Sequence, residues 1–311
     1  MIVTVTANTT LDYTLFVPQF EMNRTMRATG TTYSMGGKPT DASWILGEIG
    51  IPSLALGFAA GHSGARAKAM LEARGVTTDF IEVGGETRIN VVIISEDNKG
   101  HSTITTSSLE IEEQHINALR EKFLAALDGA SCVILGGTLP RMMRPEFYTE
   151  FVALGRERGL PVIFDADEPN LSAGLQSRPA YIKPNRDELS RLTGQPVQSV
   201  DDAYRAGRDI FERTGVCPII TLGGDGALAV LPDRAYRIPP LAVDVVSPAG
   251  AGDAVLAGLA ASIERGQPIE EGLRLGVAAA TAVCLMPGTA DCRRADVERF
   301  LPLVELLPYP G

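Results

Sequence analysis

Short apolar runs alternate with amphipathic segments along most of this chain of 311 residues. After a first apolar run at 2–6, four further runs are apolar throughout and stop at glycine, charged or threonine residues: 132–135, 161–164, 181–182 and 218–220. Runs without polar alternation are typical of strands buried on both faces of a parallel sheet. Helical periodicity marks the segments 112–127, 145–158 and 200–213. This order predicts an α/β fold with a doubly wound, mostly parallel central sheet flanked by helices.

Two stretches interrupt the alternation. Residues 13–33 and 88–107 are rich in β-forming residues and have no helical period. The second predicts a hairpin, because the turn-forming run Asp97-Asn98-Lys99-Gly100 separates two β-branched runs. We expect 13–33 and 88–107 to form a small β-sheet lid on an α/β core made of 1–12, 34–87 and 108–311.

The strongest local signal for chemistry is the run 247–254, which precedes an apolar, small-residue helix predicted at 255–263. Gly250 and Gly252 at a helix N-terminus can direct backbone N–H groups onto an anion. Asp253 beside them can accept the proton of a hydroxyl that attacks phosphorus. The alternative interpretation is an ordinary glycine-rich turn with an N-capping aspartate. The run is neither a Walker A loop nor a dinucleotide-binding fingerprint.

The amino-acid composition limits the classes of molecule that we expect the protein to bind. Lysine and arginine total 28 against 38 acidic residues, a net charge of −10 that argues against a nucleic-acid partner. The longest nearly apolar stretch, 276–286, is shorter than the ~20 residues of a membrane span, so we expect no membrane partner. The four cysteines form no CxxC pair and the first residues do not resemble a signal peptide, which favours a reduced, cytoplasmic protein.

Seven short motifs follow one another along the chain. They are Asn8-Thr9-Thr10-Leu11-Asp12, Gly36-Gly37-Lys38, Thr87-Arg88-Ile89-Asn90, Gly137-Thr138-Leu139-Pro140, Lys183-Pro184-Asn185-Arg186-Asp187-Glu188, the run 221–228 and Gly250-Ala251-Gly252-Asp253. In this set and order the chain resembles the ribokinase-like carbohydrate kinases of the PfkB family over nearly its whole length. The likeness is greatest to the branch that phosphorylates the sugar phosphates of fructose and tagatose. The resemblance implies ATP-dependent phosphoryl transfer to a carbohydrate hydroxyl.

The resemblance also implies a role for each matching residue on the donor side. Asp253 would be the catalytic base, and Gly250, Ala251 and Gly252 would form the anion hole for the transferring phosphoryl group. Asn185 and Glu188 would hold Mg²⁺ through water, since Mg²⁺ takes few protein ligands. The nucleotide site would be lined by Lys183, Asn185, Thr221, Gly223 and Gly226. For Gly226, a purely structural turn role is an open alternative.

On the acceptor side, the resemblance implies a substrate site at a further set of residues: Asp12, Gly36, Gly37, Lys38, Asp41, Arg88 and Asn90. Arg88 would bind the substrate's own phosphate, because a guanidinium can donate to two phosphate oxygens at once. A solvated role on the lid is the alternative for Arg88. Members of the family also point to a homodimer that forms through the lid.

The acceptor side departs from the family pattern. Pro39 and Asp41 stand where the family has glycine and asparagine, and Asp167 adds a further acidic side chain near a strand end. The added negative charge should repel a phosphorylated sugar unless a cation offsets it. A kinase of an unphosphorylated sugar, a nucleoside or another polyol is therefore the alternative function. A non-catalytic protein that binds sugar phosphates is a further alternative, which the intact Gly250–Asp253 motif disfavours.

Overall fold

A computed structural model describes residues 1–97, 100–106 and 109–310 of the chain. The strands, in chain order, are β1 (Ile2–Thr6), β2 (Thr10–Val17), β3 (Gly30–Gly36), β4 (Ser53–Ala59), β5 (Thr77–Thr78), β6 (Ile81–Glu82), β7 (Gly84–Gly85), β8 (Arg88–Ser95), β9 (Gly100–Ile104), β10 (Leu109–Glu110), β11 (Cys132–Gly136), β12 (Val162–Asp165), β13 (Tyr181–Ile182), β14 (Cys217–Thr221), β15 (Ala227–Val230), β16 (Ala235–Ile238) and β17 (Leu307–Pro308). The α-helices are α1 (Lys38–Glu48), α2 (Gly61–Ala73), α3 (Glu113–Leu127), α4 (Glu146–Glu157), α5 (Asn170–Gln176), α6 (Arg186–Thr193), α7 (Val200–Thr214), α8 (Ala251–Glu264), α9 (Ile269–Cys284) and α10 (Arg294–Phe300).

The main sheet has the strand order β5-β4-β1-β11-β12-β13-β14-β15-β16-β17, and β6 also pairs with β4. The pairs from β5 to β14 are parallel, whereas β15, β16 and β17 add an antiparallel edge. The strands expected from the apolar runs are present within one or two residues of their expected bounds. The prediction of a mostly parallel α/β sheet is therefore confirmed.

Helices cover both faces of this sheet. One face buries Ile2, Ile134 and Ile163 with residues of α1, α8 and α9. The other face buries Val3 and Val133 with residues of α3, α4 and α7. Successive residues of a strand point to opposite faces, so a strand with a helix layer on each side is apolar at every position.

A second sheet has four strands in the order β3-β2-β8-β9. Strand β2 pairs antiparallel with β3 and parallel with β8, and β8 pairs antiparallel with β9. The expected hairpin turn includes Asn98 and Lys99, which lie outside the described residues, as does Ser107 at the end of the second expected lid segment. Strand β2 begins at Thr10, so Asp12 lies in this sheet and not in the core segment to which we assigned it. The function of this sheet as a lid stays a prediction.

No helix in the described part of the chain is long and apolar enough to cross a membrane. The apolar stretch 276–286 falls largely within α9, where Val277, Ala278 and Ala282 are buried in the core instead. All four cysteines are free thiols. The cytoplasmic location expected from the sequence stays a prediction.

Candidate active site

The helix α8 begins at the glycine-rich run beside the carboxyl ends of the parallel strands. Its N-cap is Gly250, which has a left-handed φ of 78°, and Asp253 lies in its first turn. The Ala251 N–H donates to the Pro248 carbonyl, and the Asp253 N–H donates to that of Gly250. A side chain at Gly250 would meet the backbone nitrogen of Ala290 at 2.3 Å, so only glycine fits this turn. The helix thus starts four residues earlier than the sequence predicted.

Asp165, at the end of β12, is the centre of a buried ion-pair network. Its carboxylate oxygens lie 2.8 Å from Nζ of Lys38 and 2.8 Å from Nζ of Lys183, and its side chain is fully buried. Burial alone would raise the pKa of Asp165, but Lys183 and Lys38 outweigh it and hold that pKa below its ordinary value. Lys38 also donates to Oε1 of Glu188 at 2.8 Å. The network joins the first turn of α1, the end of β12 and the first turn of α6.

Asp253 lies next to this network. Burial and the negative charge of Asp165 raise the pKa of Asp253 to about 7, although Lys183 and Lys38 act in the opposite direction. The buried carboxyl group of Asp41, on α1, also acts on the pKa of Asp253. Asp253 therefore changes its charge close to neutral pH, which is the range in which a general base is most effective.

Asp12 accepts hydrogen bonds on the side of the site that is expected to bind the sugar. Its Oδ1 accepts a hydrogen bond from Asn90 Nδ2 at 2.9 Å, and its Oδ2 accepts one from Thr289 Oγ1 at 2.6 Å. Burial raises the pKa of Asp12 in spite of these two hydrogen bonds. A Cβ atom on Gly36 would lie 2.7 Å from Oδ1 of Asp12, so glycine is needed for this close approach of β3 to β2.

The positive charge of Arg88 acts on this carboxylate and lowers the pKa of Asp12, against the effect of burial. Nε of Arg88 donates to Thr10 Oγ1 at 2.5 Å and one Nη donates to Thr138 Oγ1 at 3.0 Å, which holds the guanidinium in place. Burial lowers the pKa of Arg88, while the charges of Asp12 and Asp167 raise it. The side chain is half-buried and keeps access to a ligand.

The residues expected to bind the nucleotide lie on adjacent strand ends. Asn185 and Thr221 form a parallel β-bridge, and Lys183 precedes it at the end of β13. After β14, Gly223 begins a short 3₁₀ turn (Gly223–Asp225) that Arg186 of α6 ties down through Asp225, at 2.6 Å. Gly226 closes this turn. The structure thus brings these residues together around the first turn of α6, and their nucleotide contacts stay a prediction.

The pair expected to hold Mg²⁺ forms a capping box at the start of α6. Oδ1 of Asn185 accepts from the Glu188 N–H at 2.8 Å, and Oε2 of Glu188 accepts from the Asn185 N–H at 2.8 Å. Oε1 of Glu188 accepts from Lys38. Among the described residues no group of three or more His, Cys, Asp or Glu side chains could hold a metal ion. Each of these oxygens keeps a second lone pair, with which the pair could accept hydrogen bonds from the water shell of a Mg²⁺ ion.

Three site residues escaped the sequence analysis. Asp165 is the last residue of a buried strand, and this position is a local signal for a site residue. Thr138 lies within a motif, but its contacts with Asn8 and Arg88 depend on the fold. Thr289 is 277 residues from Asp12 and has no local signal.

Pro39 and Asp41, at which the chain departs from the family pattern, both lie at the start of α1 but have different consequences. Pro39 occupies the first turn of α1, where a missing N–H costs no helical hydrogen bond. Asp41 is buried and faces Asp253 and Asp12. Pro39 is therefore accommodated by the helix, whereas Asp41 changes the chemistry of the site.

The comparisons with known proteins agree on one family, the carbohydrate kinases. The sequence pattern described as "pfkB family carbohydrate kinase" matches residues 3–296. The chain is 31% identical to the 1-phosphofructokinase of Bacillus subtilis, covering 99% of this chain and 98% of that relative. It is 29% identical to the tagatose-6-phosphate kinase of Staphylococcus epidermidis, with 88% and 89% coverage. The crystal structure of phosphofructokinase-2 from Escherichia coli in complex with substrates and products superposes with a TM-score of 0.90, at 25% identity and 97% and 98% coverage.

Proposed function

The chain belongs to the pfkB family of carbohydrate kinases, and we propose that it transfers the γ-phosphoryl group of ATP to a hydroxyl of a phosphorylated sugar. The family resemblance seen in the sequence is thereby confirmed, and so is the assignment to the phosphotransferase enzymes. The identity of the sugar phosphate and the function of each site residue belong to the proposal.

The observation that carries the proposal is the position of Asp253. Its carboxyl group, with a pKa of about 7, lies in the first turn of α8 beside the buried Lys38–Asp165–Lys183 network. A carboxylate at a helix N-terminus next to two ammonium groups is suited to a reaction in which a hydroxyl loses a proton beside a phosphoryl group.

The transfer step follows from this placement. The Asp253 carboxylate takes the proton of the acceptor hydroxyl while the hydroxyl oxygen bonds to the γ-phosphorus. The bond from that phosphorus to the bridging oxygen of ATP breaks, and ADP leaves with its electron pair. The N–H groups of Ala251 and Asp253 are used in the turn, so the proposed anion hole relies on those of Gly250 and Gly252. Lys183 lies close to Gly252 and adds positive charge there.

Mg²⁺ would be held by Asn185 and Glu188 through water, where it would neutralise charge on the ATP phosphates. Both side chains lie at the start of α6, next to Lys183 and Thr221 of the proposed nucleotide site. Lys38 fixes Glu188 in this position from α1.

On the acceptor side, Asp12 and Asn90 would accept and donate hydrogen bonds to sugar hydroxyls, and Arg88 would bind the phosphate of the sugar. The positive charge of Arg88 offsets nearby Asp12 and Asp167. An unphosphorylated or cationic acceptor is the second candidate, because Asp41 and Asp167 each have a buried side-chain oxygen without a hydrogen-bond partner among the described residues.

We also propose a homodimer that forms through the second sheet. Cross-strand neighbours Leu15 and Ile93 lie on the face of this sheet opposite Asp12 and Asn90, and both are only half-buried. Two copies can bury such a face against each other across a two-fold axis.

The test is ADP release from Mg·ATP with a panel of sugar phosphates, free sugars, nucleosides and amino-polyols. We expect turnover on a sugar phosphate and a loss of roughly 100-fold or more in kcat for Asp253→Asn, which cannot accept a proton. Turnover restricted to unphosphorylated acceptors would favour the second candidate. No turnover on any acceptor, with sugar phosphates still raising the melting temperature, would favour the binding-protein alternative.

A further inference from the structure

The segment 288–291, which we call the strap, joins the acceptor side of the site to the start of α8. Thr289 in the strap is buried, and its hydroxyl donates to Oδ2 of Asp12 at 2.6 Å. The N–H of Thr289 donates to Oγ of Ser34 at 2.9 Å. Asp12 and Ser34 are directly opposite each other on β2 and β3, so they lie on the same face of the second sheet. The strap is therefore attached to both strands at this point.

The next residue of the strap lies against the start of α8. The N–H of Ala290 donates to the carbonyl of Ala249 at 3.0 Å, one residue before the N-cap Gly250. Ala290 is fully buried and has a left-handed φ of 51°, which is unfavourable for a residue with a Cβ atom. Such a conformation persists where the surrounding contacts impose it, and it is most common near functional sites. The contacts of the strap thus fix its course between β2 and α8.

The far end of the strap is held by an ion pair. One Nη of Arg74 donates to Oδ1 of Asp291 at 2.6 Å. The guanidinium of Arg74 in turn lies over the ring of Trp44, with its carbon 3.6 Å from the ring centroid. Thr289 is therefore placed by contacts on both sides of it along the chain, which limits how far its hydroxyl can move from Asp12.

Asp12 has one donor on each carboxylate oxygen, Asn90 on Oδ1 and Thr289 on Oδ2. A carboxylate oxygen accepts more than one hydrogen bond, so both oxygens keep capacity for a ligand. We propose that Thr289 is a positioning residue for the acceptor: its hydroxyl fixes the orientation in which the Asp12 carboxylate accepts hydrogen bonds from the sugar hydroxyls. The strap also fixes this carboxylate relative to the turn at which the phosphoryl group is transferred. This inference rests on the proposed function, because that function assigns Asp12 to the sugar.

Removal of this hydroxyl should affect the acceptor and spare the nucleotide. Thr289→Val keeps the shape of the side chain but leaves Oδ2 of Asp12 without its donor. Asp12 is 7% exposed, so water has little access to replace that donor. Without it the carboxylate is less firmly oriented, and the sugar hydroxyls lose part of their acceptor. The proposed nucleotide site lies on the strand ends of the main sheet, and none of its residues belongs to the strap.

The kinetic test compares Thr289→Val and Thr289→Ser with a matched control, Thr281→Val, using Mg·ATP and the sugar phosphate that the wild type phosphorylates. The hydroxyl of Thr281 is also buried and donates at 2.8 Å, but to the carbonyl of Val277 within α9. We expect Thr289→Val to raise KM for the sugar phosphate by roughly 10- to 100-fold and KM for ATP by less than about twofold. Thr289→Ser, which restores the hydroxyl, and Thr281→Val should stay within about threefold of the wild type. Equal rises in both KM values, or no rescue by Thr289→Ser, would contradict a positioning role.

Binding measurements separate failure of this inference from failure of the proposed function. Fructose 1-phosphate, fructose 6-phosphate and tagatose 6-phosphate are titrated calorimetrically into nucleotide-free protein, which needs no turnover. We expect Thr289→Val to bind the preferred sugar phosphate roughly 10-fold or more weakly than the wild type, and Thr281→Val to bind it equally well. Equal affinity of Thr289→Val and the wild type would overturn the inference and leave the kinase assignment standing. A wild type that binds none of the three would overturn the proposed substrate class and this inference with it. If Thr289→Val does not fold, Thr289→Ala removes the same hydroxyl and takes its place.

Discussion

Asp165, which is fully buried, and Asp253, which is half-buried, are two carboxyl groups of one site whose pKa values move in opposite directions. Asp165 has two ammonium groups at 2.8 Å, and their attraction exceeds the cost of removing its charge from water. Asp253 is paired with neither lysine at that distance and faces the negative Asp165, so burial dominates. One residue is thereby kept as a permanent anion, and the other can exchange a proton near neutral pH.

The raised pKa of Asp253 predicts a cost in stability. Its pKa rises from an ordinary 3.8 to about 7 on folding, so between these values the folded state binds more protons than the unfolded state. The contribution of this group to the free energy of unfolding is therefore lost as pH rises from about 4 to 7. Asp253→Asn should be more stable than the wild type by about 1–3 kcal/mol above pH ~7.

Chemical denaturation of both proteins at several pH values measures this difference. The gap should narrow toward acid pH, where Asp253 is protonated in both the folded and the unfolded wild type. An Asp253→Asn variant that is equally or less stable at alkaline pH would show that the lysines stabilise the ionised base more than burial destabilises it.

Arg88 predicts how the acceptor is recognised. Thr10 and Thr138 hold its guanidinium, so its contact with a phosphate is organised before the substrate binds. Arg88→Ala should raise KM for a phosphorylated sugar by roughly 10- to 100-fold, because a charged hydrogen bond is lost. KM for ATP serves as the internal control, and Arg88→Lys should give an intermediate value. Unchanged KM for the sugar phosphate would exclude this residue as the phosphate ligand.

At the scale of the element, the start of α8 combines a steric and a chemical requirement. Gly250 adopts a φ of 78° as N-cap, while Asp253 lies in the turn that this conformation begins. The backbone of Ala290 packs directly on Gly250. The helix that carries the base is therefore positioned by a contact with the segment that also supplies Thr289 to Asp12.

Gly250→Ala tests this contact, and Gly266→Ala, just after the other end of α8, is the matched control. Gly266 also has a left-handed φ, 62°, but a Cβ there meets nothing within 4 Å. The control should lose about 1–2 kcal/mol from backbone strain alone. Gly250→Ala should lose clearly more stability and most of its activity, since Ala290 must move. Equal losses of stability of the two variants in thermal unfolding would mean that the backbone at Ala290 shifts to accept the added methyl group at no cost in free energy.

At the scale of the molecule, each of the two sheets supplies a different part of the candidate active site. The main sheet supplies Asp165 and Lys183 from its strand ends, and the second sheet supplies Asp12, Asn90 and Arg88. Strand alternation places Asp12 and Asn90 on one face of the second sheet and Leu15 and Ile93 on the other. One sheet can thus serve the acceptor site and an interface at the same time.

The proposed dimer predicts that a charge on its apolar face halves the molecular mass of the protein in solution. Ile93→Glu places a charge on the apolar face beside Leu15 and should convert the dimer to a monomer, measured by light scattering after size-exclusion chromatography. Gln195→Glu, an exposed position after α6, is the control and should stay dimeric. A wild type that is monomeric at micromolar concentration would remove the basis for the interface.

Much of the fold follows from local pattern. The apolar runs that became β11, β12 and β14 need a helix layer on each side, and the sequence supplies those helices between the strands. The Asn185–Glu188 capping box and the Gly250–Asp253 turn are also local, because their partners lie within three or four residues. Such features depend on backbone propensity and short-range hydrogen bonds, which a single segment encodes.

The contacts that set the chemistry were decided by tertiary structure. Thr289 reaches Asp12 across 277 residues, and Lys38 reaches Asp165 across 127. Asp41 and Asp253 act on each other's pKa values because α1 packs against α8. By itself, the sequence determined the apolar strands of the parallel sheet, the amphipathic helices between them and the Gly250–Asp253 motif that can take part in phosphoryl chemistry. The charge state of those residues depends on neighbours and burial, and these exist only once distant segments are packed together.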